Sequence, residues 1–243
     1  MAPIALINAG ILVGGHDFTA ETNKIMLSGD FNELEATTFG SQGWKERKAG
    51  LRDVKAAAEG LWQSAATDAV DPEAFGNLGV MDRVMTVYPD EVEAEIAYLT
   101  QFGLFSYQID GQLGELLPFT LGLSGSNKHG LVRGRLAKAP GAVNATGVLG
   151  SPVQLAAAGA SQFLYVSFHV LGTPGTTITV KVQSDTASNF PSATDVATIG
   201  PLTTAGGRWM TRVAGPLTDT WFRFNVSAIT GSFTVAGAMG VGF

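Results

Sequence analysis

The sequence predicts a mainly β protein in two parts, the second a β-sandwich of immunoglobulin-like or jelly-roll type. Three observations lead there. Charged residues make up only 15% of the chain, against roughly 25% in an average soluble domain. Glycine fills 31 of 243 positions, close to twice its usual share of about 7%. The chain also breaks into short apolar or alternating runs separated by turn sequences, as all-β folds do. A hydrophobic content of 45% over this length supports one large β domain or two modest ones.

Taken in order, the β-branched and apolar run Ile4–Val13 is a strand that stops at Gly14 and Gly15. Lys24–Thr37 alternates imperfectly through Ile25, Leu27, Phe31 and Leu34, the pattern of a half-buried strand. Leu51–Trp62 alternates again, and its alanines keep a helix open as an alternative, which Gly50 and Gly60 weaken. Asp71 caps a short helix with Pro72 at its first position, ending by Gly79. Val80–Tyr88 is a strand. Residues 91–100 read as a helix with Ile96 and Leu99 on one face, continued by a strand over Phe105–Ile109. Leu116–Leu123 and Leu131–Leu136 complete the first part, around a turn at 124–130.

Between Thr38 and Gly50 lies the most informative segment. It holds Phe39 and Trp44 together with Lys45, Arg47 and Lys48, and Arg52 follows close behind. Long connections without structure of their own are uncommon and usually functional. Two large aromatics on a basic loop fit a docking arm for another subunit. The cations could instead hold nucleic acid. The surplus of acid in the same half makes contact with a second copy the preferred reading.

Residues 137–152 are rich in Ala, Gly and Pro without apolar periodicity and read as a linker. The division is residues 1–142, a linker at 143–150, and 151–243. The second part offers short β runs at Val153–Ala157, Gln162–Val170, Thr176–Gln183, Asp195–Ile199, Trp209–Val213, Thr220–Val226 and Ser232–Ala238. In the second of these, Leu164, Val166 and Phe168 face opposite to Tyr165, Ser167 and His169.

Charge is divided unevenly. Residues 1–150 carry 18 acids and 11 Lys or Arg, a net −7, while residues 151–243 carry 3 and 4, a net +1. An acidic first part does not fit a nucleic-acid grip. With no cysteine, disulfide frameworks, zinc ribbons and thiol nucleophiles are excluded. The N-terminal stretch lacks a basic n-region, and no apolar run nears the roughly 18 residues of a spanning helix. A soluble protein made in a cytoplasm, with no membrane partner, is expected.

No catalytic constellation or cofactor motif stands out. His16, His129 and His169 are isolated and lack metal-ligand spacing. Ser124 lacks the final Gly of a nucleophile elbow, and no Lys-Ser or Lys-Thr follows Gly15 to make a phosphate loop. Asp90, Glu91, Glu93 and Glu95 read as a solvated acidic face. Arg133, Arg135 and Lys138 read as protection of a strand edge. Asn144 and Asn225 match the N-glycosylation pattern, which carries no weight without a secretory signal. Asp185, Asp195 and Asp219 sit in or near turns, which makes a paired-carboxylate hydrolase the weakest reading.

From Thr37 the chain runs T-T-F-G-S-Q-G-W-K-E, with Gly50 and Leu51 following, and then Ala97–Leu99, Ser106 and Tyr107, Leu113–Glu115, and Leu131–Gly134. In this order and spacing, residues 1–140 resemble the major tail (tail tube) proteins of long-tailed, non-contractile bacteriophages. The second part resembles, in architecture, the extra β-sandwich domains some of them carry outside the tube. The resemblance implies a β-sandwich or barrel core with a flanking helix and a long inter-subunit loop matching Thr38–Gly50. It implies homo-hexameric rings stacked into a hollow tube within a virion, other tail proteins at the tube ends, and DNA transiting the lumen without specific binding. Acids would line such a lumen, with Asp30, Glu33 and Glu35 as candidates, and removal of residues 151–243 would leave a thinner tube. Two alternatives stay open: a cell-surface carbohydrate-binding module using Trp209 or Trp221, and a capsid decoration or connector protein.

Overall fold

In the computed structural model, which describes residues 7–65, 69–126, 130–209 and 212–243, the alternating runs of the sequence become strands. Strand β1 (Gly10–Val13) turns at Gly14 into β2 (His16–Asp17). Long strands β3 (Thr22–Glu35) and β4 (Arg47–Leu61) form a hairpin, and the short helix α1 (Val70–Gly76) follows. Then come β5 (Arg83–Tyr88), β6 (Ile96–Ile109), β7 (Pro118–Gly125), β8 (Val132–Val143) and β9 (Gly147–Gln154). The remainder is β10 (Phe163–Leu171), β11 (Thr177–Asp185), β12 (Thr194–Leu202), β13 (Gly206–Trp209), β14 (Val213–Ala214), β15 (Trp221–Thr230) and β16 (Phe233–Gly242). The protein is mainly β, with a nearly closed, barrel-like sheet and one short helix among the described residues.

One sheet runs β13-β10-β16-β8-β6-β5-β1-β2, with β7 joining β6 to β4 and β4 to β3; a second runs β12-β11-β15-β9. The first half wraps a core of Val13, Phe18, Val70, Met85, Phe102, Phe119 and their neighbours. The two sheets of the second half face each other across Val166, Phe168, Val180, Phe222 and Phe224. A third cluster, including Tyr88, Leu99, Leu136, Tyr165 and Ala236, lies between the halves.

Several local expectations give way. Residues 96–100 are strand, not helix. The β6 segment has neighbours on both sides, pairing with β5 and β8 at Leu99. Ala97 and Leu99 through Leu104 are buried, so packing on both faces overrides a helical periodicity that needs one solvent face. The helix alternative for Leu51–Trp62 also falls: Val54, Ala56, Ala58 and Gly60 are buried in alternation. The stretch read as a linker is strand β8, a short turn at 144–146, and strand β9. Its small residues serve close packing. A Cβ on Gly150 would stand 2.1 Å from the Ala137 carbonyl oxygen.

The helix starts two residues earlier than expected. Ala69 is its N-cap, without a side-chain bond, and Asp71 and Pro72 lie in the first turn, where a missing N–H costs nothing. Strand β8 is no edge, since β6 and β16 flank it. Arg135 donates to the Ala94 carbonyl at 2.6 Å instead of guarding a border. Part of the first expected strand, and His129, lie outside the described residues.

Candidate functional site

The arm predicted as a loop is the closed end of a long ribbon. Strands β3 and β4 pair from Thr22 opposite Gly60 out to Glu35 opposite Arg47. On its other side β4 is joined by β7 only from Leu61 back to Lys55. Beyond that point the ribbon has two strands and, among the described residues, no third. Near its base, Ile25 and Leu27 pack on the first-half core. Past Gly29 the residues are exposed on both faces, Phe31 and Leu34 at 54% and Leu51 at 79%. A two-stranded ribbon alone is marginal in water, so an arm of this kind calls for a partner surface.

The tip is folded. The Ala36 amide donates to the Glu46 carbonyl at 2.9 Å, and Ser41 and Trp44 close successive turns on Thr38 and Ser41 carbonyls. The Thr38 amide donates to the Ser41 hydroxyl at 3.1 Å. Gln42 (φ 50°) and Gly43 (φ 85°) reverse the chain in the left-handed region. Arg47 and Lys48, expected within the loop, belong to β4. Phe39 and Trp44 stand at the tip, fully and four-fifths exposed.

Register decides the electrostatics. Arg47 lies opposite Glu35 and two residues along the ladder from Glu33. Its Nε is 3.1 Å from the Glu33 carboxylate, and Lys45 Nζ is 3.5 Å from that of Glu35. Two of the expected docking cations therefore meet acids of their own arm. The Arg52 guanidinium stacks over Phe31, 5.2 Å from the ring centre. Asp30 and Asp53 are directly opposed, a destabilising like-charge pair. Lys55 bonds Asp53 at 3.0 Å, and that hydrogen bond, the Asp53 charge and then Asp30 raise its ammonium pKa. Among the described residues neither Lys48 nor Asp30 forms an ion pair. The three acids named for a lumen thus all lie on the arm, two of them beside a cation of the same arm.

A shallow apolar groove of about 260 Å³ opens at the base of the arm. Its floor is Ala57 and Gly122, its walls Met26 and Phe105, and Ser28, Lys55 and Ser106 rim it. Met26 and Phe105 are 60% and 53% exposed. The ladder shift between Leu104 and Ser106 leaves Phe105 as an extra residue turned outward, a bulge no sequence pattern announces.

Sequence reading also missed polar anchors. Glu93, taken for a solvated acid, accepts from the Ser151 hydroxyl at 2.8 Å, the Ala139 amide at 3.1 Å and Lys138 Nζ at 3.4 Å. Asp71 accepts on one oxygen from both Tyr107 (2.7 Å) and Trp62 (3.0 Å). Desolvation first, and then the bond to Asp71, raises the Tyr107 phenol pKa. His16 Nε2 sits 3.3 Å from the Glu21 carboxylate.

A polar cleft of about 630 Å³ lies near His16, but its Arg83 is taken by Glu73 and by the Val13 carbonyl. Asp195 is held by Lys181 and Gln183, Asp219 by Ser184, and Asp185 by the amides of Ala187 and Ser192. Each of these acids fixes a turn or a strand pair. Trp221 is half-buried on β15. Among the described residues no group of three or more His, Cys, Asp or Glu could hold a metal ion, and no helix is long and apolar enough to cross a membrane.

No protein-family model and no curated protein matches the chain. Solved structures do. A chain of the virion of a native gene transfer agent particle is similar over 50% of this chain and 94% of its own, at 19% identity and TM-score 0.40. A chain of the tail of an empty gene transfer agent particle, refined with C6 symmetry, covers 50% and 92% at 20% identity and TM-score 0.39. The SPP1 Dit protein, described as a hub adsorption apparatus protein of phages infecting Gram-positive hosts, covers 97% and 99% at 11% identity and TM-score 0.36. Scores this low transfer none of those proteins' roles to this chain.

Proposed function

We propose that this protein is a structural subunit of a phage-type tail, which assembles with copies of itself into rings and stacks those rings into a tube. One observation carries the reading. Among the described residues the outer half of the β3–β4 hairpin is a two-stranded ribbon with no third strand and no core of its own, and it presents Phe39 and Trp44 to solvent. Ordering a projecting ribbon costs backbone entropy, and aromatic residues on it gain burial only against another molecule. A repeated arm-to-body contact is head-to-tail, and such contacts close into rings or run on as filaments. The role is architectural, in keeping with acids that serve turns and strand pairs, and it places the protein in a virion. Other tail proteins would meet the ends of the stack.

In this reading the ring encloses a channel that DNA crosses without being held, for which the acidic first half is suited. Glu33 and Glu35 add less to the field of such a channel than their number suggests, because Arg47 and Lys45 lie beside them.

The test is negative-stain electron microscopy of the purified, concentrated protein beside its Trp44→Ala variant. Wild-type tubes of stacked rings are expected, with the variant folded by circular dichroism but monomeric. Isolated rings that never stack would assign a cap or hub position instead. Wild-type monomers at every concentration would overturn the assembly role.

A further inference from the structure

Resting on that assembly reading, we infer that the apolar groove at the base of the arm, between Met26 and Phe105, is the receptor for the arm tip of a second copy, with Trp44 as the inserted side chain. The groove and the tip are complementary in kind. Small residues at the floor, Ala57 and Gly122, leave space between two large exposed walls. Gly122 also has no room to grow, since a Cβ there would stand 2.3 Å from the Ser106 hydroxyl. Interface hot spots are enriched in Trp and sit in well-packed, desolvated pockets.

The occupant comes from another molecule. Residues 29–35 and 47–54 separate the tip from the groove, a paired ribbon rising ~3.3 Å per residue, so roughly 20 Å. A continuous ribbon cannot bend its own tip back onto its own base. The same arm therefore carries donor and receptor at opposite ends, which makes each contact head-to-tail and lets one interface propagate.

Charge agrees with this docking. Along β3, Met26, Ser28 and Asp30 share one face, and along β4 so do Ala57, Lys55 and Asp53, by the two-residue period of strands. The groove thus leads directly onto the opposed Asp30 and Asp53. Lys55 is bonded to Asp53, its ammonium also feels the Asp30 charge, and Asp30 is left without an ion pair among the described residues. A visiting arm brings Lys48, just behind its tip on β4, which is likewise without one. Delivering it beside Asp30 relieves the like-charge pair.

The absence of cysteine makes the test direct. Lys45→Cys protein, with Trp44 intact, is mixed with Ser106→Cys protein and treated with a short bifunctional thiol crosslinker. A second mixture uses Thr198→Cys, on β12 of the second sheet, in place of Ser106→Cys. The expected result is a heterodimer with Ser106→Cys alone, lost when Trp44→Ala is added to the arm partner. Association of that variant should weaken roughly 30-fold, the effect of truncating an aromatic hot spot. Rings by electron microscopy without this crosslink, or with crosslinks mainly between two Lys45→Cys tips, would overturn the groove assignment and leave assembly standing. Absence of any oligomer in the wild type would overturn both.

Discussion

The imidazole of His169 donates from Nδ1 to the carbonyl of Gly14 at 2.8 Å, joining the turn after β1 to strand β10 across 155 residues of chain. That bond settles the tautomer. Nε2 carries no proton and accepts from the Thr86 hydroxyl at 2.8 Å, and Thr86 in turn accepts from Ser167 at 2.7 Å. His169, Thr86 and Ser167 are fully buried. Tyr165, Ser167 and His169 form the face of β10 opposite Leu164, Val166 and Phe168, as alternation requires. Both faces are covered, one by the second sheet and the other by the first half.

Acid should loosen this junction. Burial lowers the His169 pKa from 6.5 to about 4, partly offset by the bond to Gly14. The folded value lies below the unfolded one, so the neutral form is favoured in the native state. The contribution is complete above pH ~6.5 and is lost as the pH falls towards 4, amounting to about 3 kcal/mol at about 1.4 kcal/mol per unit. Urea unfolding at a series of pH values should show that slope in the wild type. His169→Phe should lose it, and at pH 7 should cost about 1–3 kcal/mol by leaving buried partners unpaired. An unchanged acid slope in the variant would remove His169 from this role.

Glu93 fastens the turn before β6 to β8 and β9. With three donors converging on its carboxylate, Glu93→Ala should destabilise by about 1–3 kcal/mol, since the Ala139 amide and Lys138 lose a partner. Asp90→Ala, in the same acidic run, should stay within about 0.5 kcal/mol. Thermal melts of the two variants compare them directly, and equal melting temperatures would return Glu93 to the solvent.

How much of this was legible depends on whether the deciding contact is local. The alternation in β10 and the Gly-bounded runs of the second half could be read, because each strand carries its own period. Residues 96–100 misled because Ile96 and Leu99 sit at helical spacing, while the neighbours that bury Ala97, Leu99 and Thr100 come from β5 and β8. Gly141, Gly147 and Gly150 suggest a linker, whereas a Cβ at Gly150 would run into the Ala137 carbonyl, so glycine serves close approach there. The tip residues Phe39 and Trp44 were legible by composition. Their receptor was not, because it depends on a bulge at Phe105 and on Gly122 lying beside Ala57 in a register no single segment encodes.

Removing residues 151–243 should unfold the first half, contrary to the thinner tube expected from sequence. Strand β16 pairs along β8, and Tyr165, Ala236 and Ala238 supply part of the cluster around Tyr88 and Leu99. Truncation would leave β8 an open edge and expose an apolar face, a recipe for aggregation. Soluble expression and circular dichroism of residues 1–150 give the answer. A cooperative melt near that of the full chain would show that the first half folds alone.

The last prediction concerns the charge pair that the arm leaves unmatched. If Lys48 of one copy settles beside Asp30 of another, Lys48→Glu places a third acid near Asp30 and Asp53 and should block assembly while leaving the monomer's melt unchanged, because Lys48 makes no ion pair among the described residues. Asp30→Lys in a separate preparation should assemble poorly for the mirror reason, with Lys48 and Lys55 now facing a further cation. Combining the two changes restores opposite charge across the contact, so the double variant should regain most of its tube yield. Recovery of this kind isolates a direct pair, as double-mutant cycles do, and sedimentation velocity with electron microscopy measures it. Additive losses in the double variant would place Lys48 and Asp30 apart in the assembly.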